Sequence, residues 1–273
     1  MTMHTREESL AAFSRLLDIM DRVREECPWD RKQTFQSLRP QTIEECYELS
    51  EAILGGEREE IRKELGDVLL HIVFYSRLGS EEGAFDVADV CNGISDKLVY
   101  RHPHIFGQVK VDSADDVTRN WEMLKTKEKG GNKTVLEGTR GLPTLLKAYR
   151  MQDKARGVGF DWEEKEQVWD KVAEELGEYR AEMEAAAAAS TDEEKKAAQE
   201  RAELECGDFL FSVINAARLY KINPDTALER SCDKFRRRFT YLEEKTIRQG
   251  RDLHDMTLAE MDEIWDEAKA KGL

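Results

Sequence analysis

The sequence predicts an all-α protein made of two tandem, duplicated helical bundles. Three observations carry that expectation. Only five of 273 residues are proline. Apolar residues recur at three- and four-residue spacing between charged ones over long stretches, the period of amphipathic helices. A set of acidic and basic motifs occurs twice, once in each half. No segment reads as a strand.

Each element follows from local signals. Thr5 and Glu8 have the spacing of a capping box, and Leu10, Phe13, Leu16, Leu17, Met20 and Val23 extend that helix to about Glu26. A loop carries Cys27-Pro28-Trp29-Asp30. A second helix is expected from about Pro40 to Leu54, where Gly55-Gly56 stops it. A third runs from about Glu57 to Leu78 and ends at Gly79, and a fourth from Asp86 to about Tyr100, before His102-Pro103. Ser113 opens a fifth, which fades at Gly130-Gly131. The glycine-rich stretch 130–142 reads as a linker between an N-terminal domain (1–129) and a C-terminal domain (143–273). The second half has helices at about 143–155, 163–187, 192–220, 224–248 and 257–270. Ala185 to Ala189 reads as helix extension, because alanine is the best helix former.

Charge limits the function. With 57 acidic and 42 basic residues the formal net charge is −15. That argues against a general binder of nucleic acid or anionic membrane, since both need a basic surface. A small anionic ligand carried with divalent cations stays open. No apolar run approaches the roughly 20 residues of a membrane span, and the first residues lack a signal-peptide layout. Cys27, Cys46, Cys91, Cys206 and Cys232 are scattered without a CxxC pair, which predicts reduced, buried thiols in a cytoplasmic protein.

The internal repeat carries the chemistry. Glu44-Glu45-Cys46-Tyr47-Glu48 matches Glu174-Glu175-Leu176-Gly177-Glu178 at an offset of 130. Glu64-Leu65-Gly66-Asp67 matches Glu205-Cys206-Gly207-Asp208 at 141, so the second hairpin is longer by 11 residues, about three helical turns. Asp96-Lys97 with Arg101 matches Asp233-Lys234 with Arg238, and Trp121 parallels Trp265. An EExxE segment alone also fits a solvated acidic face. The ExxD helices fit that reading less well. Residues 68–75 and 209–214 are apolar nearly all round, the pattern of a buried helix. Partly buried carboxylates beside them need cations.

Placing EExxE opposite ExxD in an antiparallel hairpin gathers four or five carboxylates. An all-oxygen set suits Mg²⁺ or Mn²⁺. A di-iron bundle would want Glu-x-x-His, but the i+3 residue is Asp, and His71 is matched by Ser212. His71 reads as a core or supporting histidine, His102 and His104 as loop histidines, and Cys46 and Cys206 as small core residues. Lys234 and Arg238 lie one turn apart, as do Lys97 and Arg101. They fit either surface pairing or a clamp for anionic oxygens. An acidic metal cluster beside a basic pair is the pattern for a phosphoanhydride with its metal. Trp265 and Trp121 fit either packing or stacking on a base.

The paired EExxE and ExxD motifs, CPWD at 27–30, RHPHIF at 101–106 and GFDW at 159–162 together resemble the MazG family of nucleoside triphosphate pyrophosphohydrolases, across nearly the whole chain. The resemblance implies two MazG-like all-α domains, Mg²⁺-dependent hydrolysis of NTPs and dNTPs to monophosphate and pyrophosphate, and a homodimer. Glu175, Glu178, Glu205 and Asp208 would hold Mg²⁺, with Glu174 in support and Glu174, Glu175 and Glu178 as the catalytic set. Lys171, Lys234 and Arg238 would grip the triphosphate, and Trp265 would contact the base. In the first half Glu45, Glu48, Glu64 and Asp67 fit the metal role, and Lys97 and Arg101 the phosphate role. Gln41 stands where the second half has Lys171, so catalysis is expected chiefly in the C-terminal domain; Cys232 stands where the family pattern has Asn, a departure that touches one local contact of the C-terminal site itself. The expected mechanism is in-line attack of a Mg²⁺-activated water on the α-phosphorus, with pyrophosphate leaving. Two other classes stay open: a di-iron or di-manganese carboxylate enzyme, and a helical protein that senses nucleotide or docks a basic partner without turnover.

Overall fold

The computed structural model describes residues 3–128 and 133–273, and all their regular structure is helical. The chain divides into two compact units, Met1–Lys110 and Val111–Leu273. The start of the expected linker, 130–132, lies outside the described residues. No helix among the described residues is long and apolar enough to cross a membrane.

The first unit contains α1 (Arg6–Glu26), α2 (Phe35–Gly55), α3 (Arg58–Glu81), α4 (Val87–Arg101) and the single turn α5 (Pro103–Phe106). Thr5 and Glu8 form the reciprocal cap of α1. A second reciprocal cap, Thr34 with Ser37, starts α2 at Phe35, five residues before the expected Pro40. Pro40 therefore sits inside the second turn, where it costs one backbone hydrogen bond without stopping the helix. Gly56 in the left-handed region ends α2 and lets α3 fold back beside it.

Gly79 does not end α3, which continues to Glu81. Its role is close packing: a Cβ there would lie 2.7 Å from the Phe85 ring and 2.8 Å from the Phe85 carbonyl oxygen. The core joins α1, α2 and α3 through Met20, Leu38, Val73, Phe74 and Leu78, flanked by Phe13, Leu16 and Phe35. Arg24 ties the CPWD loop down, bonding both Glu81 carboxylate oxygens at 2.9 Å and the Asp30 carbonyl. α4 packs on α3 and α5 and has no buried residue.

The second unit contains α6 (Ala114–Lys127), α7 (Thr144–Gly157), α8 (Val168–Ala188), α9 (Asp192–Leu219), α10 (Pro224–Lys245) and α11 (Leu258–Ala270). α8 and α9 form its long hairpin, and Thr191 caps α9 reciprocally with Glu194. The alanine run is helical to Ala188, and the buried Ala186, Ala198 and Ala202 belong to this hairpin. Asp161 of the GFDW segment pairs with the buried guanidinium of Arg218, which Asn215 also contacts at 2.9 Å. The buried Lys154 donates to the Val135 carbonyl at 3.0 Å and fastens the stretch before α7.

Two expectations about burial do not hold. Residues 68–75 bury one face only: His71, Val73 and Phe74 are inside, while Leu69, Leu70 and Ile72 are exposed. Residues 209–214 behave alike, with Leu210, Phe211 and Val213 exposed. The cysteines are all free, and Cys46, Cys91 and Cys232 are exposed while Cys27 and Cys206 are half-buried. The apolar runs, and Cys46 and Cys206 with them, share a cause. Each hairpin has only one partnered face within its unit.

Gly79→Ala tests the close packing of α3 on Phe85. It should destabilise the first unit by about 1–3 kcal/mol, as overpacking does, read from that unit's denaturant transition.

Candidate functional site

The candidate site occurs twice, once on each long hairpin. Residues at i and i+3 share a helix face. Glu45 and Glu48 therefore form one acidic stripe on α2, and Glu64 and Asp67 another on α3. The turn at Gly56 brings the stripes together. Carboxylate oxygens of Glu45, Glu48 and Glu64 lie within 4.8 Å of one another. In the second unit Glu175 of α8 meets Glu205 and Asp208 of α9 within the same distance.

Asp67 and Glu178 fall outside these closest groups but belong to the same field. Burial comes first in raising the Glu45 carboxyl above the ordinary 4.5, with the Asp67 charge next. Glu205 is raised by burial and then by Glu178. Glu64 is raised by burial and then by Glu48, and its Oε2 is covered from solvent without a hydrogen-bond partner. An orphaned buried carboxylate oxygen is costly unless a cation meets it. With an all-oxygen donor set around it, this atom fits a hard divalent ion.

The two clusters differ in their cations. Lys171 Nζ sits 2.6 Å from Glu175 Oε1 and 3.3 Å from Glu174 Oε1. Those bonds push its ammonium up to about 12, so it stays charged at any physiological pH. Glu175 itself is only 7% exposed. Gln41 holds the matching place in the first unit, and no ammonium is built in there.

The remaining predicted residues lie on other helices. Lys234 and Arg238 are on α10; the Arg238 guanidinium lies 5.9 Å from the Trp265 ring centroid, and its Nε donates to the Leu273 carbonyl at 2.7 Å. Trp265 packs at 5.1 Å on Phe235, which stacks on Phe239. Among the described residues, no ion pair joins Lys234 or Arg238 to the carboxylates. Lys97 and Arg101 lie on α4. The Lys125 ammonium lies 6.0 Å from the ring of Trp121.

His71 is buried on α3. Its Nδ1 is 2.8 Å from Thr42 Oγ1, which is also 2.7 Å from the Tyr75 hydroxyl. Thr42 and Tyr75 escaped the sequence reading. The available signal was spacing: Thr42 precedes Glu45 by three residues and His71 follows Asp67 by four, which puts both beside the acidic stripes.

The chain is similar to known proteins over almost its whole length. Residues 33–106 match the family model described as MazG nucleotide pyrophosphohydrolase domain. A nucleoside triphosphate pyrophosphohydrolase of Escherichia coli K12 is 38% identical over 263 residues, covering 94% of this chain and 97% of that protein. The nucleoside triphosphate pyrophosphohydrolase/pyrophosphatase MazG of Thermotoga maritima is 40% identical over 269 residues, covering 96% and 98%. Protein YabN of Bacillus subtilis is 44% identical over 245 residues, which are 89% of this chain and 48% of that one.

The raised carboxyls give a test of cation binding. A carboxyl raised in the folded state favours folding below its unfolded value, and that contribution is lost as pH rises through the folded value. At neutral pH the metal-free clusters therefore hold carboxylates in mutual repulsion, and a divalent ion should relieve it. Mg²⁺ should raise the melting temperature at pH 7.5, by about 1.4 kcal/mol of stability at a tenfold excess over Kd. The gain should shrink toward pH 4.5, where protons compete. Glu64→Gln should lose part of it. A melting temperature indifferent to Mg²⁺ at pH 7.5 would remove the metal reading.

Proposed function

The chain belongs to the MazG nucleoside triphosphate pyrophosphohydrolase family, and from that premise we propose that it hydrolyses NTPs and dNTPs to nucleoside monophosphate and pyrophosphate, with Mg²⁺, chiefly in its second unit. The observation that carries this reading is the carboxylate cluster of Glu175, Glu205 and Asp208 with Lys171 fastened to it. The first cluster repeats the carboxylates without the lysine.

Glu175, Glu205 and Asp208, with Glu178 beside them, would hold the ion. When bound, Mg²⁺ or Mn²⁺ would neutralise phosphate charge and acidify water at the α-phosphorus. The chain's own groups do the rest. Lys171 sits at the mouth of the cluster as a permanent cation and can exchange its glutamate partners for phosphate oxygens. Lys234 and Arg238 grip the leaving pyrophosphate, Arg238 held by its stacking on Trp265. Trp265 offers its ring to the base. The proton of the attacking water goes to the carboxylate set Glu174, Glu175 and Glu178. Glu45, Glu48, Glu64 and Asp67 hold metal in the first unit, with Lys97 and Arg101 as its cations.

The working form in this reading is a homodimer in the cytoplasm, with small-molecule nucleotides as ligands and neither nucleic acid nor membrane as partner. Leu65, Leu69 and Ile72 form an exposed i, i+4, i+7 stripe on α3, and Leu210 and Val213 repeat it on α9. A second copy would bury these side chains, worth roughly 1.5–3 kcal/mol each when fully covered.

Pyrophosphate release from each common NTP and dNTP, with and without Mg²⁺, tests the activity. Release should require Mg²⁺, and Glu175→Gln should lower kcat by at least about 100-fold, above the 10–100-fold loss typical of an outer partner of a metal site. Glu45→Gln should have the smaller effect; the reverse order would move catalysis to the first unit. For the assembly, sedimentation should give a dimer that Leu69→Lys shifts toward monomer. A monomeric wild type would overturn the dimer.

A further inference from the structure

The face of α11 that meets α10 is thin. Ala268 is its buried residue, and Ile264 and Lys271 continue the same line at i−4 and i+3. An alanine seam has no long side chain to interlock with the facing helix, so it resists rolling of α11 about its own axis only weakly. At about 100° per residue, Trp265 lies on one flank of the seam and Glu267 on the other. On the first flank the Trp265 ring meets Phe235 at 5.1 Å and the Arg238 guanidinium at 5.9 Å.

The second flank carries a knot of charge. One oxygen of Glu267, Oε1, accepts from the Tyr241 hydroxyl and lies 3.0 Å from the Lys271 ammonium and 3.4 Å from the Lys245 ammonium. Lys271 also donates to the Tyr241 hydroxyl oxygen. The Lys271 and Lys245 ammonium groups lie 4.6 and 5.3 Å from the centroid of the Tyr241 ring. Tyr241 and Lys245 are one turn apart on α10, and Glu267 and Lys271 one turn apart on α11, so two residues of each helix make the junction. The Tyr241 hydroxyl first, and the Lys271 ammonium next, hold the Glu267 carboxyl down to about 2, and it stays ionised at any physiological pH. Tyr241 follows Arg238 by three residues on one face of α10. The contacts therefore close a ring: Glu267 to Tyr241, along α10 to Arg238, across to Trp265 and back along α11.

The junction is not part of the duplicated pattern. With Trp121 aligned to Trp265 and Lys97 to Lys234, the first half has Met123, His104 and Gln108 where the second has Glu267, Tyr241 and Lys245. It belongs to the half in which Lys171 joins the carboxylates.

We propose that Glu267 is a positioning residue of the second unit: by binding Tyr241, Lys245 and Lys271 it sets the roll of α11, and with it the place of the Trp265 ring beside Arg238. The proposal rests on the nucleotide reading above and adds to it a residue outside the ligand contacts.

Fluorine NMR on the full chain, with its five tryptophans replaced by 5-fluorotryptophan, reads the ring directly, and Trp265→Phe assigns its line. Glu267→Gln keeps the size and drops the charge; Tyr241→Phe removes the hydroxyl alone. In each, the Trp265 line should move or broaden while those of Trp29, Trp162 and Trp169 stay. KM for the nucleotide that the wild type turns over fastest should rise about three- to tenfold with kcat within about twofold, the signature of lost uniform binding. The double variant should be no worse than either single one, because both act through one junction. An unmoved Trp265 line, or an unmoved KM, in both variants overturns the proposal, whatever happens to the melting temperature. If Glu267→Gln unfolds the chain and disturbs all five lines, Tyr241→Phe decides alone. The wild type keeps the two readings apart. Absence of pyrophosphate release from it removes the proposed hydrolysis and this inference together, whereas release with an unmoved line or KM in the variants removes this inference only.

Discussion

Everything distinctive in this chain follows from holding carboxylates together where water is thin. Each hairpin brings three acidic oxygens within 4.8 Å of one another, and burial and mutual repulsion raise Glu45, Glu64 and Glu205. A fold could relieve this by protonation, by a fixed ammonium or by a bound ion. The second unit uses an ammonium at one carboxylate, Lys171 on Glu175, and leaves Glu205 raised. The first unit has no such lysine and leaves Glu64 Oε2 with no partner. The repeated carboxylate positions therefore take two closest groupings and two electrostatic states in one polypeptide.

The surrounding packing serves that constraint. Apolar cores lie on one side of each hairpin, through Met20, Leu38 and Phe74 in the first unit and Ile214 and Ala216 in the second. The opposite faces keep apolar side chains exposed. Acidic stripes run between the two surfaces, half covered by the core and half open. A hairpin buried on both sides within its own unit would have closed over the stripes.

Much of this was legible in the sequence, and the failures have physical causes. Residues at the expected starts marked helices well: Thr5, Asp86 and Ser113 sit at the N-termini of α1, α4 and α6. Pro40 misled because a proline near a helix start is tolerated at the first position and merely expensive in the second turn. Gly79 misled because its missing Cβ serves Phe85, a contact that local pattern does not reveal. The repeat brought out both carboxylate clusters, since i and i+3 spacing is a property of the helix itself. Burial was the weakest expectation. Composition shows that residues 68–75 are apolar, but not whether the chain supplies enough neighbours to cover them. The junction at Glu267 needed three dimensions, because Tyr241 and Lys245 reach it from α10.

The longer second hairpin has a consequence for how such proteins can diverge. Sixteen residues separate Glu48 from Glu64 and 27 separate Glu178 from Glu205. The added 11 residues are about three turns of helix, so the carboxylates keep their angular phase while the tip moves outward. Length at the tip is thus nearly independent of chemistry at the base, and change is tolerated in whole turns. The alanine-rich tip is a spacer closed by small buried side chains, Ala186, Ala198 and Ala202. Such a spacer can be lengthened, trimmed or given a recognition sequence of its own without retuning the ion-binding geometry at the root.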